Sequence, residues 1–150
     1  MDTVRERPES ISLSDMGDLV SAWFLLLFVD VGLRLFSFQR VQRMLRSNRL
    51  AMPSDDSEKT SQIIQRQRWV VNLASHYHLI KMTCLRRALT LQKMLDGRGI
   101  QSELRFGVRK ETDKLEAHAW LEREGVVINE PETVTERFAA LLEKNLGGDS

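Results

Sequence analysis

Thr83-Cys84-Leu85-Arg86-Arg87-Ala88-Leu89-Thr90-Leu91 decides how the chain is read, because it sets the only cysteine at the start of an amphipathic helix. Thr83 suits an N-cap, and Leu85, Ala88, Leu89 and Leu95 keep a helical period until Gly97 and Gly99 stop it. Cys84 then falls in the first turn. There the unpaired backbone N–H groups and the positive end of the helix dipole favour an anionic sulfur, the form in which a thiol is a nucleophile.

Downstream of this helix the hydrophobic period changes to two. Residues 103–108 alternate as a strand, and 115–122 alternate again with Leu115, Ala117, Ala119 and Leu121 on one side, His118 and Trp120 on the other. Arg123-Glu124-Gly125 reads as a three-residue hairpin loop with Gly125 left-handed, after which 126–129 returns as a third strand. That register makes His118 and Glu130 cross-strand neighbours on one face. A two-residue loop at 123 and 124 would pair His118 with Asn129 instead. Pro131 ends the strand, and Thr133 to about Asn145 is expected to form a closing helix before the Gly147-Gly148 tail.

Upstream, Glu58 to about Tyr77 is expected to be helical, with Ile63, Ile64, Val70, Val71, Leu73 and Ala74 buried and residues 65–68 wet. His76 and His78 close it. They lie two apart and point to different sides of a helix, and no second cysteine completes a zinc site, so no metal is expected. Pro53, Ser54, Asp55 and Asp56 mark a linker over 52–57, dividing the chain into an N-terminal helical region, 1–52, and a C-terminal domain, 58–146. Within the first, residues 1–13 read as a loose polar start. Ser14 and Asp15 offer N-cap chemistry for a helix to about Phe36 whose centre, residues 22–29, is apolar all round. Asp30 and Arg34 interrupt it, so burial in the core or against a partner is expected rather than a membrane span; contact with a membrane surface is the alternative. From Leu33 to Leu50 the pattern turns basic, with Arg34, Arg40, Arg43, Arg46 and Arg49 as the solvated face of an amphipathic helix.

Composition narrows the functional classes. The chain has 150 residues, enough for one domain with a core. Its formal net charge of +1 gives no global field for nucleic acid. A single cysteine forms no internal disulfide, and residues 2–18 lack the basic and apolar pattern of a secretory leader, so a reducing, cytoplasmic setting is expected. No segment resembles a phosphate-binding loop.

A cysteine at a helix start, a histidine on a following strand and an acid on the next is the order of parts in papain-like and transglutaminase-like thiol sites. Cys84 would attack a carbonyl, His118 would move its proton to the leaving amine, and Glu130 would orient the imidazole, with Asn129 as the rival orienting group. The Cys84 N–H is a candidate oxyanion donor; a second, unassigned donor has His76, His78 and Thr83 nearby in sequence. Each residue alone has a plainer reading: a cysteine is commonly a small core residue, and a strand histidine is commonly structural.

The runs Cys84–Leu89, Gly99-Ile100, Leu104–Val108, Ala117-His118-Ala119-Trp120-Leu121-Glu122 and Gly125–Asn129 resemble the leader peptidases of lasso-peptide biosynthesis, a branch of the transglutaminase-like superfamily. The resemblance covers about residues 60–130, and Ala-His-Ala-Trp is its most specific part. It implies an α+β fold, a nucleophile helix packed on a small antiparallel sheet with an N-terminal helical extension. It also implies a cysteine protease that cuts the leader from a ribosomal precursor peptide, freeing an amine that a separate lasso cyclase consumes. The implied partners are that precursor, a separate leader-binding protein and the cyclase. ATP has been linked to the step, so an ATP dependence would come through the maturation complex. Cys84 and His118 match family positions; Glu130 stands where the family usually has Asp. An acyl transferase on the same thiol and a non-catalytic adaptor are the competing classes.

Overall fold

In a computed structural model, residues 10–46, 57–78, 83–130 and 134–140 are described. The helices are α1 (Leu13–Leu35), α2 (Phe38–Leu45), α3 (Ser57–His76), α4 (Cys84–Asp96) and the single-turn α5 (Val134–Arg137). The strands are β1 (Glu103–Glu111), β2 (Lys114–Arg123), β3 (Val126–Val127) and β4 (Ala139–Ala140). They form one antiparallel sheet in the order β3-β2-β1-β4, so the fold is α+β. Of the loose start expected over 1–13, residues 1–9 lie outside the described residues, as do most of the linker over 52–57 and the Gly147-Gly148 tail, while Leu13 already belongs to α1.

Local chemistry explains where the elements begin and end. Ser12, rather than Ser14, caps α1: its side chain accepts from the Asp15 N–H while the Asp15 carboxylate accepts from the Ser12 N–H at 2.7 Å, a capping box. Helix α1 stops at Leu35, and the basic segment after it forms a separate short helix. Gly32 allows that close turn, because a Cβ there would lie 3.2 Å from Val41 Cγ2. At the far end of α4 the chain leaves through a Schellman turn. Gly99 is left-handed (φ 76°), its N–H bonds Asp96 O at 3.0 Å, and the Ile100 N–H bonds Leu95 O at 3.0 Å.

One apolar core joins the helices to one face of the sheet. It takes Ala22, Leu26 and Val29 from α1, Val41 from α2, Val70 and Val71 from α3, Ala88, Leu89, Leu91 and Leu95 from α4, and Ala119 and Leu121 from β2. The core therefore draws on both sides of the linker. Gln67, expected on the wet face of α3, is instead buried and donates to Asp18 at 3.0 Å. Thr90 is also buried, and its hydroxyl is satisfied by Arg86 O at 2.9 Å.

Two buried acids fasten the helices. Asp15 on α1 receives two hydrogen bonds from Arg66 on α3. These bonds and those from Ser12 hold its carboxyl well below the usual carboxylate range. Asp30, 1% exposed, lies 2.8 Å from Arg86 Nε on α4, a charge contact without hydrogen-bond alignment, and accepts from Arg34 Nε at 3.0 Å. Near the end of α4, burial pushes the Asp96 carboxyl up.

The outer side of α1 departs from the expected all-round burial. Leu13, Val20, Phe24, Phe28, Val31 and Leu35 are exposed along it. By length and composition α1 is the one helix among the described residues that could cross a membrane. Its other face is core.

Candidate active site

Alternation along β2 sets the geometry of the site. Ala119 and Leu121 turn into the main core, so His118 and Trp120 point to the opposite face, as the sequence pattern predicts. Phe138, just past α5, covers that face together with Val134. The His118 ring stacks on Phe138 with centroids 5.1 Å apart and planes at 20°. The Arg109 guanidinium also lies over the Phe138 ring, 5.1 Å from its centroid. Gly107, paired with His118 across the ladder, leaves the space: a Cβ there would sit 2.7 Å from both Phe138 Cβ and the Trp120 ring. Trp120 donates its indole N–H to Glu122 at 2.9 Å.

The hairpin differs from the expected one. Arg123 pairs with Val126 and Glu122 with Val127, so the loop is the two residues Glu124 and Gly125, both left-handed (φ 52° and 80°). Positive φ at both central residues is the type I′ arrangement, whose twist matches that of the strands. The ladder ends after Val127, and the chain bends through residues 128–130. Asn129 then turns its side chain back, accepting from the Leu121 N–H at 2.7 Å. The bend carries Glu130 to His118, Oε1 to Nε2 at 3.5 Å. The predicted neighbours thus meet, but through a bend after a short strand and not through the predicted register. Both are about four-fifths buried, His118 21% and Glu130 23% exposed. With its oxygen committed to the backbone of β2, Asn129 gives way to Glu130 as the group beside the imidazole.

Cys84 is the first residue of α4, as expected. Thr83 holds the N-cap backbone conformation (φ −80°, ψ 164°) but makes no side-chain capping bond. The thiol is half-buried and packs against the main core. Among the described residues no hydrogen bond joins Cys84 to His118, whose ring lies on the other face of β2. The structure brings His118 and Glu130 together and, among the described residues, joins neither to the sulfur by a hydrogen bond. Of the nearby histidines, His78 stacks on Trp23 of α1 at 4.7 Å, and His76 meets Tyr77 edge-on. Among the described residues no group of three metal-ligating side chains could hold an ion.

No pattern in the sequence singles out Phe138. It falls where a helix from Thr133 to Asn145 is expected, but α5 ends at Arg137 and residues 139–140 pair with β1 as β4. The residues of that expected helix beyond 140 lie outside the described residues. A two-residue strand carries too little alternation to be read.

Comparison with known proteins agrees with the fold. The family profile described as Transglutaminase-like superfamily matches residues 25–143, and the chain belongs to that superfamily. Over 73 residues it is 29% identical to the microcin J25-processing protein McjB of Escherichia coli. That stretch is 49% of this chain and 34% of McjB, so the chain spans about a third of the length of this curated relative. No solved structure gives a significant match.

Proposed function

We propose that this protein is a thiol peptidase that removes the leader from a lasso-type precursor peptide. The observation that carries this reading is the largely buried His118–Glu130 pair, set against Phe138 within the same family-matched stretch as the single cysteine. The likeness to a microcin-processing protein supports the choice of substrate class.

In the proposed cycle the Cys84 sulfur attacks the scissile carbonyl carbon while His118 takes the thiol proton. The C–N bond breaks, and that proton goes to the departing amine, which becomes the N-terminus of the core peptide. Water, deprotonated by His118, then hydrolyses the thioester and returns the leader as a carboxylate and Cys84 as a thiol. Glu130 orients the imidazole and offsets the charge it gains. The Cys84 N–H, at a helix start where no intrahelical acceptor exists, faces the developing oxyanion. This cycle requires the sulfur and the imidazole, which share no hydrogen bond in the free chain, to come within about 3 Å once the peptide is bound. A separate leader-binding protein presents the precursor, and a cyclase takes the new amine, in the cytoplasm.

One observation favours an adaptor without catalysis: the thiol packs with apolar core residues and makes no bond to His118. Mass spectrometry of the precursor, incubated with this chain and the leader-binding protein, separates the readings. The wild type removes a leader-sized mass and Cys84→Ala removes none. Cleavage retained by Cys84→Ala contradicts the peptidase.

A further inference from the structure

The outer face of α1 has a composition that its role in the core does not explain. Leu13, Phe24 and Leu35, spaced eleven residues apart, are 89%, 61% and 70% exposed, and Val20, Phe28 and Val31 fill the gaps between them. Eleven residues is close to three whole turns of an α-helix, so the stripe runs straight along the helix instead of winding as a heptad seam does. A straight stripe suits a flat surface.

Charge says which kind of surface. From Leu19 to Arg46 the only acid is Asp30, which is buried between Arg34 and Arg86. The exposed charges of this segment are therefore all positive, Arg34, Arg40 and Arg43 among them. Arg40 is tied to the end of the stripe, its guanidinium 5.7 Å from the centroid of the Phe36 ring, next to Leu35. Area argues against a second copy of the chain as occupant. A stripe of about 33 Å by about 10 Å offers roughly 330 Å², against about 800 Å² per partner in a stable protein interface.

We propose that the outer face of α1 rests on an anionic lipid surface, its apolar side chains in the interface and the arginines at its C-terminal end on the headgroups. The helix lies on the bilayer and does not cross it, because its inner face and Asp30 belong to the core. The placement rests on the stripe and its charges alone and holds whether or not the chain is a peptidase.

Co-sedimentation of the full chain with vesicles tests it. The wild type is expected to sediment with phosphatidylcholine vesicles containing phosphatidylglycerol and to remain in solution with phosphatidylcholine alone. Phe24→Gln/Phe28→Gln, with both changes at exposed positions, is expected to lower binding about tenfold or more. Arg40→Glu/Arg43→Glu should lower it by a similar factor, and added salt should mimic that loss for the wild type. Unchanged circular dichroism shows each variant to be folded; if one is not, the other carries the test. Failure to sediment with the anionic vesicles overturns the proposal, as does equal binding to both vesicle types or full binding by the folded phenylalanine variant. A wild-type dimer by light scattering that the phenylalanine variant splits, with no vesicle binding, also overturns it and assigns the stripe to a second copy.

Discussion

The helical layer and the outer face of the sheet both pair acids with bases, and they do so in different surroundings. Among the helices, Asp15 meets Arg66 and Asp30 meets Arg86 across separate elements, with each carboxylate sealed from water. On the sheet, Glu130 meets His118 with both partners in reach of solvent. A buried acid must keep its cation, since an uncompensated buried charge is costly, so such pairs fix which helices touch. A pair that still reaches solvent is worth less to stability than a sealed one, which leaves it free to serve chemistry. The same two residue classes are therefore structural at one end of α4 and a candidate catalytic unit on the strand beside it.

The largest effect expected from breaking this contrast is in the helical layer. Asp30→Ala leaves Arg86 without its carboxylate and should cost about 3 kcal/mol or more, read as a lower urea midpoint. Next comes a pH-dependent effect at Asp15. Its carboxyl sits below the range of about 3.9 found in unfolded chains, so the contribution of its pairing is fully present above that value and fades as acid protonates it. Asp15→Asn should therefore lie well below the wild type in stability near neutrality, and the gap should narrow as pH falls below about 4; a gap constant to the lowest pH would contradict the assignment. The smallest effect on stability is expected at Glu130→Ala, within about 1 kcal/mol, while cleavage of the precursor slows about tenfold or more. A large loss of stability there would make Glu130 structural after all.

Much of this contrast was legible in the sequence and some was not. The helical period places α3 and α4, and the alternation of 115–122 puts His118 and Ala119 on opposite faces. Gly125 signalled a turn but not its length, since a left-handed glycine fits both two- and three-residue loops, and Glu124 gives no hint of its own positive φ. His118 and Glu130 meet through the bend after Val127, which strand register alone does not foretell. Ser12 and Asp15 form a capping box with Asp at the position where Glu or Gln is usual, which sets the start of α1 at Leu13, upstream of Ser14. An all-round apolar helix cannot show which side its neighbours cover; that depended on where α3 and α4 pack. Phe138, the floor under the imidazole, is placed by a strand too short to leave a pattern.

The central claim is that a sulfur packed against the main core and an imidazole on the opposite face of β2 act as one unit. The most direct measurement is the rate at which iodoacetamide alkylates Cys84 across pH 5 to 9 in the wild type and in His118→Ala, with the precursor and its leader-binding protein present. If they are coupled, removal of the imidazole slows alkylation at neutral pH about tenfold or more and alters the shape of the profile. Superimposable profiles for the two proteins would mean that His118 never reaches the sulfur, and the peptidase account would fall.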